Sequence, residues 1–194
     1  MMVMPSIIET IERTKKAWDI PTKLYNDESI ITLFGEISEE SSYLIITQLL
    51  YLDSIQKDID KPIKLYINSP GGVVYYGMAI VDTMKVMKRK VDIICVGIAM
   101  SMGLYILCHG TGERKALPNS RIMGHSTSGG FEGNFHDHKI DFHESEYLQN
   151  KMMEHISETT NGKLSFKDVE SLFERNKYMS PEECVEFGLI DSVI

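Results

Sequence analysis

A serine flanked by small residues at the end of an apolar run is a candidate nucleophile. Ser101 sits in Gly97-Ile98-Ala99-Met100-Ser101-Met102-Gly103. The run before it, 92–98, is nearly all apolar and reads as a strand covered on both faces. The segment after it, 102–107, reads as a buried helix. Small residues two positions to either side allow a turn tight enough to project the Ser101 hydroxyl. At such a corner the Met102 N–H points the same way as the hydroxyl and can donate to an oxyanion. The same spacing also suits a serine that does no more than cap the helix.

A nucleophilic serine needs a base, and the chain offers His109, His125, His136, His138, His143 and His155. His125 is best placed, because it ends a short apolar strand at 121–123 and precedes a Ser/Gly stretch. His109 lies two helical turns past Ser101 and should point away from the corner. His136, His138 and His143 cluster with Asp137 and Asp141. On one helix positions 136 and 143 share a face and 138 does not, and no pair has the i, i+4 spacing of a helical zinc site. A solvated polar face accounts for them better, and no metal is expected. A second turn, Asn68-Ser69-Pro70-Gly71-Gly72, joins a strand to a helix. Its paired glycines can expose backbone N–H groups to an anion or oxyanion, although Pro-Gly-Gly also makes an ordinary turn.

The elements that must position these residues follow from periodicity. Residues 30–34 and 62–68 read as strands, the second alternating Ile63, Leu65 and Ile67 with polar residues. Residues 39–56 carry Leu44, Ile45, Leu49, Leu52 and Ile55 on a broad helical face opened by Ser38. Residues 73–87 form a further helix. Residues 110–115 read as a polar turn. One long polar helix spans 135–160 and closes at Asn161-Gly162. Ser165 caps a helix reaching about residue 175. Ser180-Pro181-Glu182-Glu183 is a strong helix start, with a capping serine, proline in the first turn and glutamate at the third helical position. Alternating strands and helices predict an α/β fold with a mostly parallel sheet, and its strand C-termini should present the functional turns. Residues 1–20 form either a helix or an arm that orders on a partner, and 21–194 contain no domain boundary.

Composition bounds the alternatives. The 194 residues are 43% hydrophobic and 25% charged, enough for a core without staples. The net charge of −8 argues against a nonspecific nucleic-acid binder. Three cysteines, Cys95, Cys108 and Cys184, form no CxxC pair, so reduced thiols are expected. No stretch suits a signal peptide or a membrane span, which predicts a soluble, cytoplasmic protein.

Taken in order, several stretches resemble the ClpP family, the proteolytic subunits of Clp proteases. These are 65–72 (LYINSPGG), Gly77-Met78 with Asp82-Thr83-Met84, the 99–103 corner (AMSMG), 117–123 (LPNSRIM) leading into His125, and 179–183 (MSPEE) leading into 187–191 (FGLID). The similarity runs from about residue 3 to the end. The resemblance implies a ClpP/crotonase-like α/β fold of repeated ββα units with a protruding handle helix at about 135–160. It implies Ser101 as nucleophile, His125 as general base, and Gly72 and Met102 as oxyanion donors. It further implies a serine endopeptidase that cuts unfolded polypeptides inside two stacked rings, usually of seven. An AAA+ unfoldase of the Clp type would feed them, with ATP used by that partner and no cofactor on this chain. Residues 1–20 would be the axial segment, and Arg175 would link the site to ring contacts.

One position departs from the family. The third triad member is an acid just before the segment Lys177-Tyr178-Met179-Ser180, and this chain has Asn176 there. An amide oxygen can accept the imidazole N–H, but it carries no charge to stabilise the imidazolium. Glu174 and Asp168 are the nearest carboxylates in sequence. The alternative to an active peptidase is therefore a weak or silent ring subunit serving assembly and unfoldase docking. An acyl-CoA enzyme of the crotonase fold also uses glycine-rich oxyanion turns, but it has no use for Ser101 paired with His125.

Overall fold

The computed structural model describes residues 6–11, 14–55, 60–130 and 132–194. Strands β1 (Ser6–Ile11) and β2 (Thr14–Asp19) pair antiparallel, Ser6 opposite Asp19 and Ile11 opposite Thr14. The expected helix or arm at 1–20 is thus a hairpin over its described part. Its β-branched Ile7, Ile8, Thr10 and Ile11 favour extended backbone. Residues 1–5 of that segment lie outside the described residues.

Helix α1 (Ile20–Glu28), which the sequence reading missed, starts at Asp19, whose carboxylate accepts from the Thr22 N–H at 2.8 Å. Pro21 occupies its first turn, and the helix stops at Ser29 in the left-handed region, φ 53°. A capping Asp followed by Pro was a legible start signal.

The remaining elements follow in chain order: β3 (Ile30–Phe34), α2 (Glu39–Ser54), β4 (Ile63–Ser69), α3 (Val74–Val86), β5 (Val91–Met100), α4 (Met102–Cys108), β6 (Arg114–Ala116), β7 (Arg121–Gly124), α5 (Phe135–Thr159), α6 (Phe166–Leu172), β8 (Lys177–Met179), α7 (Pro181–Phe187) and β9 (Ser192–Val193). Strands β3, β4, β5, β6 and β9 run parallel in that order, so the predicted mixed α/β architecture with a parallel sheet is present. Capping follows the sequence signals at α2, α6 and α7. Ser38, Ser165 and Ser180 each accept from the N–H three residues on, and a side chain at that position reaches back. Asn161 (φ 54°) and Gly162 (φ 81°) end α5 as a left-handed pair.

Two boundaries differ from expectation. Arg114 and Lys115 belong to β6 and not to a turn, because Arg114 is neutralised there. Its guanidinium donates to both Asp191 oxygens, at 2.5 and 3.1 Å, and to the Thr159 carbonyl at 3.0 Å. Burial opposes the Arg114 charge, but the Asp191 carboxylate outweighs it and holds the guanidinium pKa above its ordinary value. Helix α6 stops at Leu172, because the chain must turn there to bring β8 antiparallel onto β7.

The core lies between the sheet and α2, α3 and α4. Every residue of α4 is buried. Long strand β5 makes two successive alliances. Its first half pairs with β6 (Ile93–Arg114 to Cys95–Ala116), and its second half with β7 (Ile98–Arg121 to Met100–Met123). This split delivers the end of β5, and so Ser101, beside the end of β7, and so His125. Among the described residues, no helix is long and apolar enough to cross a membrane.

Candidate active site

Ser101 joins β5 to α4 with φ 53° and ψ −120°, a conformation that side-chain-bearing residues rarely adopt. The surroundings over-determine it. Its N–H donates to the Met123 carbonyl at 2.8 Å, and its carbonyl accepts from the Tyr105 N–H at 3.1 Å. Its side chain makes no capping bond to α4. A serine placed only to cap would take extended backbone and accept a helix N–H, as Ser38, Ser165 and Ser180 do. Ser101 does neither. Of the two uses its spacing allowed, the geometry is that of a nucleophile elbow.

The Asn68–Gly72 turn is packed onto this corner. A Cβ on Gly71 would stand 2.7 Å from both the Met100 carbonyl oxygen and the Ser101 Cβ, and Gly71 has φ 103°. Only glycine meets both demands. Gly72 forms a parallel bridge with Ile37. The Ile37 N–H donates to the Gly71 carbonyl at 2.8 Å, and the Ile37 carbonyl accepts from the Val73 N–H at 2.9 Å. In such a bridge the N–H of Gly72 itself faces away from Ile37. The Met102 N–H is a first-turn helix donor with no acceptor inside α4.

Further bonds brace the turn. Buried Ser69 accepts from the Gly71 N–H at 3.1 Å. The Asn68 side chain accepts from the Ile98 N–H at 3.1 Å, where the β4–β5 register shifts. Gly97 leaves room for that amide, since a Cβ there would stand 2.6 Å from Asn68 Oδ1.

One cavity is lined by Gly72, Ser101, Met102 and His125 together, so the structure brings these four sequence candidates to one place. Val74, Leu104, Met152, Met153, Ile156 and Phe173 give it an apolar wall. No hydrogen bond joins Ser101 Oγ to the His125 ring. Such bonds between nucleophile and base commonly tighten only around substrate. Asn176 does not line this cavity. It shares a neighbouring, open one with His125, Glu174 and Arg175, and no hydrogen bond links it to the imidazole. Asp168 is committed elsewhere, its carboxylate accepting from Ser165 Oγ at 2.6 Å and Ser165 N–H at 2.8 Å.

The other histidines are accounted for by position. His109 is buried behind α4, its Nδ1 2.6 Å from the Tyr105 carbonyl oxygen, so that nitrogen carries the proton. Its Nε2 has no partner, and burial pushes its pKa down to about 4. His155 Nδ1 lies 2.8 Å from the Tyr105 hydroxyl. His136, His138 and His143 sit on the exposed N-terminal half of α5.

Sequence reasoning passed over Ile37, which sets the Gly72 N–H, and Gln149, whose amide oxygen accepts from the Thr127 N–H at 2.6 Å. Neither has a local signature, because each acts across a long stretch of chain. A family model described as Clp protease matches residues 12–194.

Proposed function

The chain belongs to the Clp protease family, and on that premise we propose that it is a serine endopeptidase working by acyl transfer. Ser101 Oγ attacks the peptide carbonyl carbon as His125 takes its proton, and the carbonyl oxygen becomes an oxyanion held by the Gly72 and Met102 N–H groups. The C–N bond then breaks, and the imidazolium returns the proton to the leaving amine. Water, deprotonated by His125, attacks the acyl-enzyme and releases the acid and Ser101. No metal or cofactor is required for any step.

One observation carries this reading. Ser101 is held at φ 53°, without a capping bond, in the cavity that His125, Gly72 and Met102 also line. The apolar wall of that cavity supports apolar side chains on the acyl side of the cut. The rest follows the family. Unfolded polypeptide is the substrate, delivered by an ATP-driven AAA+ unfoldase into a chamber of two stacked rings. Helix α5 serves as the handle between rings, and its exposed Phe135, Ile140, Phe142 and Tyr147 support a contact with a second copy. The hairpin and the residues before it serve as the axial segment.

A fluorophosphonate probe together with a fluorogenic peptide tests the chemistry on the purified assembly, with its mass measured in the same preparation. Wild type should be labelled and should hydrolyse peptide. Ser101→Ala should lose labelling and about 10⁴-fold or more of the rate. An unlabelled, inactive wild type of full ring mass refutes the peptidase.

Asn176 favours a second reading, a weak or silent ring subunit that contributes assembly and unfoldase docking. Replacing the buried triad acid by its amide costs about 10⁴ in kcat in the serine-protease template. Unfoldase binding without hydrolysis would select this reading.

A further inference from the structure

The segment carrying His125 has few anchors of its own. His125, Ser126 and Thr127 are half-buried, and Ser128, Gly129 and Gly130 are exposed. Regular pairing of β7 ends at Gly124, opposite Lys177. Beyond that point, among the described residues, two hydrogen bonds reach the segment. Ser126 Oγ donates to the Glu174 carbonyl at 3.4 Å, a long bond open to solvent. The Thr127 N–H donates to Gln149 Oε1 at 2.6 Å, a short, partly buried bond to a long helix. Gln149 stands 22 residues further along the chain, on α5.

The geometry points to Gln149 as a positioning residue that fixes the His125 imidazole relative to Ser101. The assignment rests on the peptidase reading above and deepens it. A backbone bond two residues from the imidazole limits how far the ring can drift from the hydroxyl it must deprotonate, and misplacement of about 1 Å at a reacting group costs about 100-fold. Gln149 does not line the cavity that holds Ser101. It lines the adjoining one, with Val74, Thr127 and Phe142 among its neighbours. Its loss should therefore disturb the base without removing a substrate contact. The same helix ties the opposite side of the site, since the Tyr75 hydroxyl donates to Glu144 at 3.0 Å, three residues past Gly72. Tyr75 is exposed and that bond is correspondingly weaker, so Gln149 is the effective anchor.

The test compares full-length wild type with Gln149→Met, which keeps length and loses the acceptor, and Gln149→Glu, which keeps an acceptor. Peptide kinetics, hydrogen–deuterium exchange of 123–130 and thermal unfolding are read on each. Gln149→Met should lower kcat about tenfold with KM within about twofold, and should speed exchange of the segment about tenfold. Gln149→Glu should retain most of both, and the unfolding midpoints should agree. Unchanged kcat and exchange in Gln149→Met overturn the assignment, as does a rise in KM alone. Equal losses in both variants with a falling midpoint also overturn it, because they report packing only. If wild type itself hydrolyses nothing, the peptidase reading fails by that result alone. Exchange then still decides the tie: faster exchange in Gln149→Met supports it, and unchanged protection overturns it.

Discussion

Ser101 and His125 line one cavity, but they are held by different kinds of structure. Ser101 stands on a wholly buried helix, with both backbone groups bonded and Gly71 pressed against its Cβ. His125 stands where a short strand gives way to an exposed Ser/Gly stretch, and Asn176 beyond it is exposed. The proposed nucleophile is thus tied to the core through buried Met102 and Gly71 on either side of it, and moving it means disturbing that packing. The segment that carries the proposed base is tied to another element by one side chain, Gln149. A strained nucleophile needs rigid support, whereas a base on a loop can be retuned at little cost in stability. Variants on the Ser101 side should mostly lose stability, and those on the His125 side should mostly change rate.

The largest effect should come from Gly71→Ala. Its methyl has no space beside Met100 and Ser101, and alanine disfavours φ 103°. We expect a loss of about 3 kcal/mol in denaturant unfolding, with peptide hydrolysis falling alongside. A stable, active Gly71→Ala would show that the nucleophile corner is softer than its packing indicates.

Behind that corner, His109 should make stability pH-dependent. Its folded pKa lies near 4, below the ordinary 6.5, so the unfolded chain binds the proton first. The contribution is complete above about pH 6.5 and is lost as pH falls toward 4, by about 3 kcal/mol in all. Urea unfolding at pH 7 and pH 4.5 measures it, and His109→Leu should flatten the slope. A slope unchanged in that variant would assign the acid sensitivity to other groups.

On the side of the proposed base, Asn176→Asp puts a negative charge into the cavity that Asn176 shares with His125. We expect kcat to rise about tenfold or more with stability nearly unchanged. An unchanged rate would mean that another carboxylate serves His125, and Glu174, which lines the same cavity, is the one to substitute next.

The smallest effect belongs to Gly129→Ala. Nothing lies within 4 Å of a Cβ there, so the unfolding free energy should stay within about 0.5 kcal/mol. A large loss would mean that this stretch is more constrained than the comparison holds.

Much of this arrangement is written in short stretches of chain. Ser38, Ser165 and Ser180 announce their helices because a capping bond spans three residues. Alternation in 63–69 and the apolar run of β5 mark half-covered and fully covered strands by burial alone. The small-residue frame of Ser101 and the Asn68–Gly72 turn are equally local. Apart from α1, whose local Asp-Pro start was passed over, what escaped depends on partners elsewhere in the chain. The paired strands 6–11 and 14–19 carry apolar residues whose spacing fits more than one period, and β6, β8 and β9 are two or three residues long and exist only through their partners.

The sequence by itself determined the residue types, their caps and turns, and Ser101, His125 and Asn176 as the candidates. Only the tertiary structure decided their placement. The two-part pairing of β5 brings Ser101 to His125, the Ile37 bridge orients Gly72, and Gln149 reaches Thr127 across 22 residues. It also set Asn176 in a different cavity from Ser101. The reason is range. Caps and periodicity act over one or two turns of chain, whereas catalytic geometry depends on contacts whose closure only the packed core enforces.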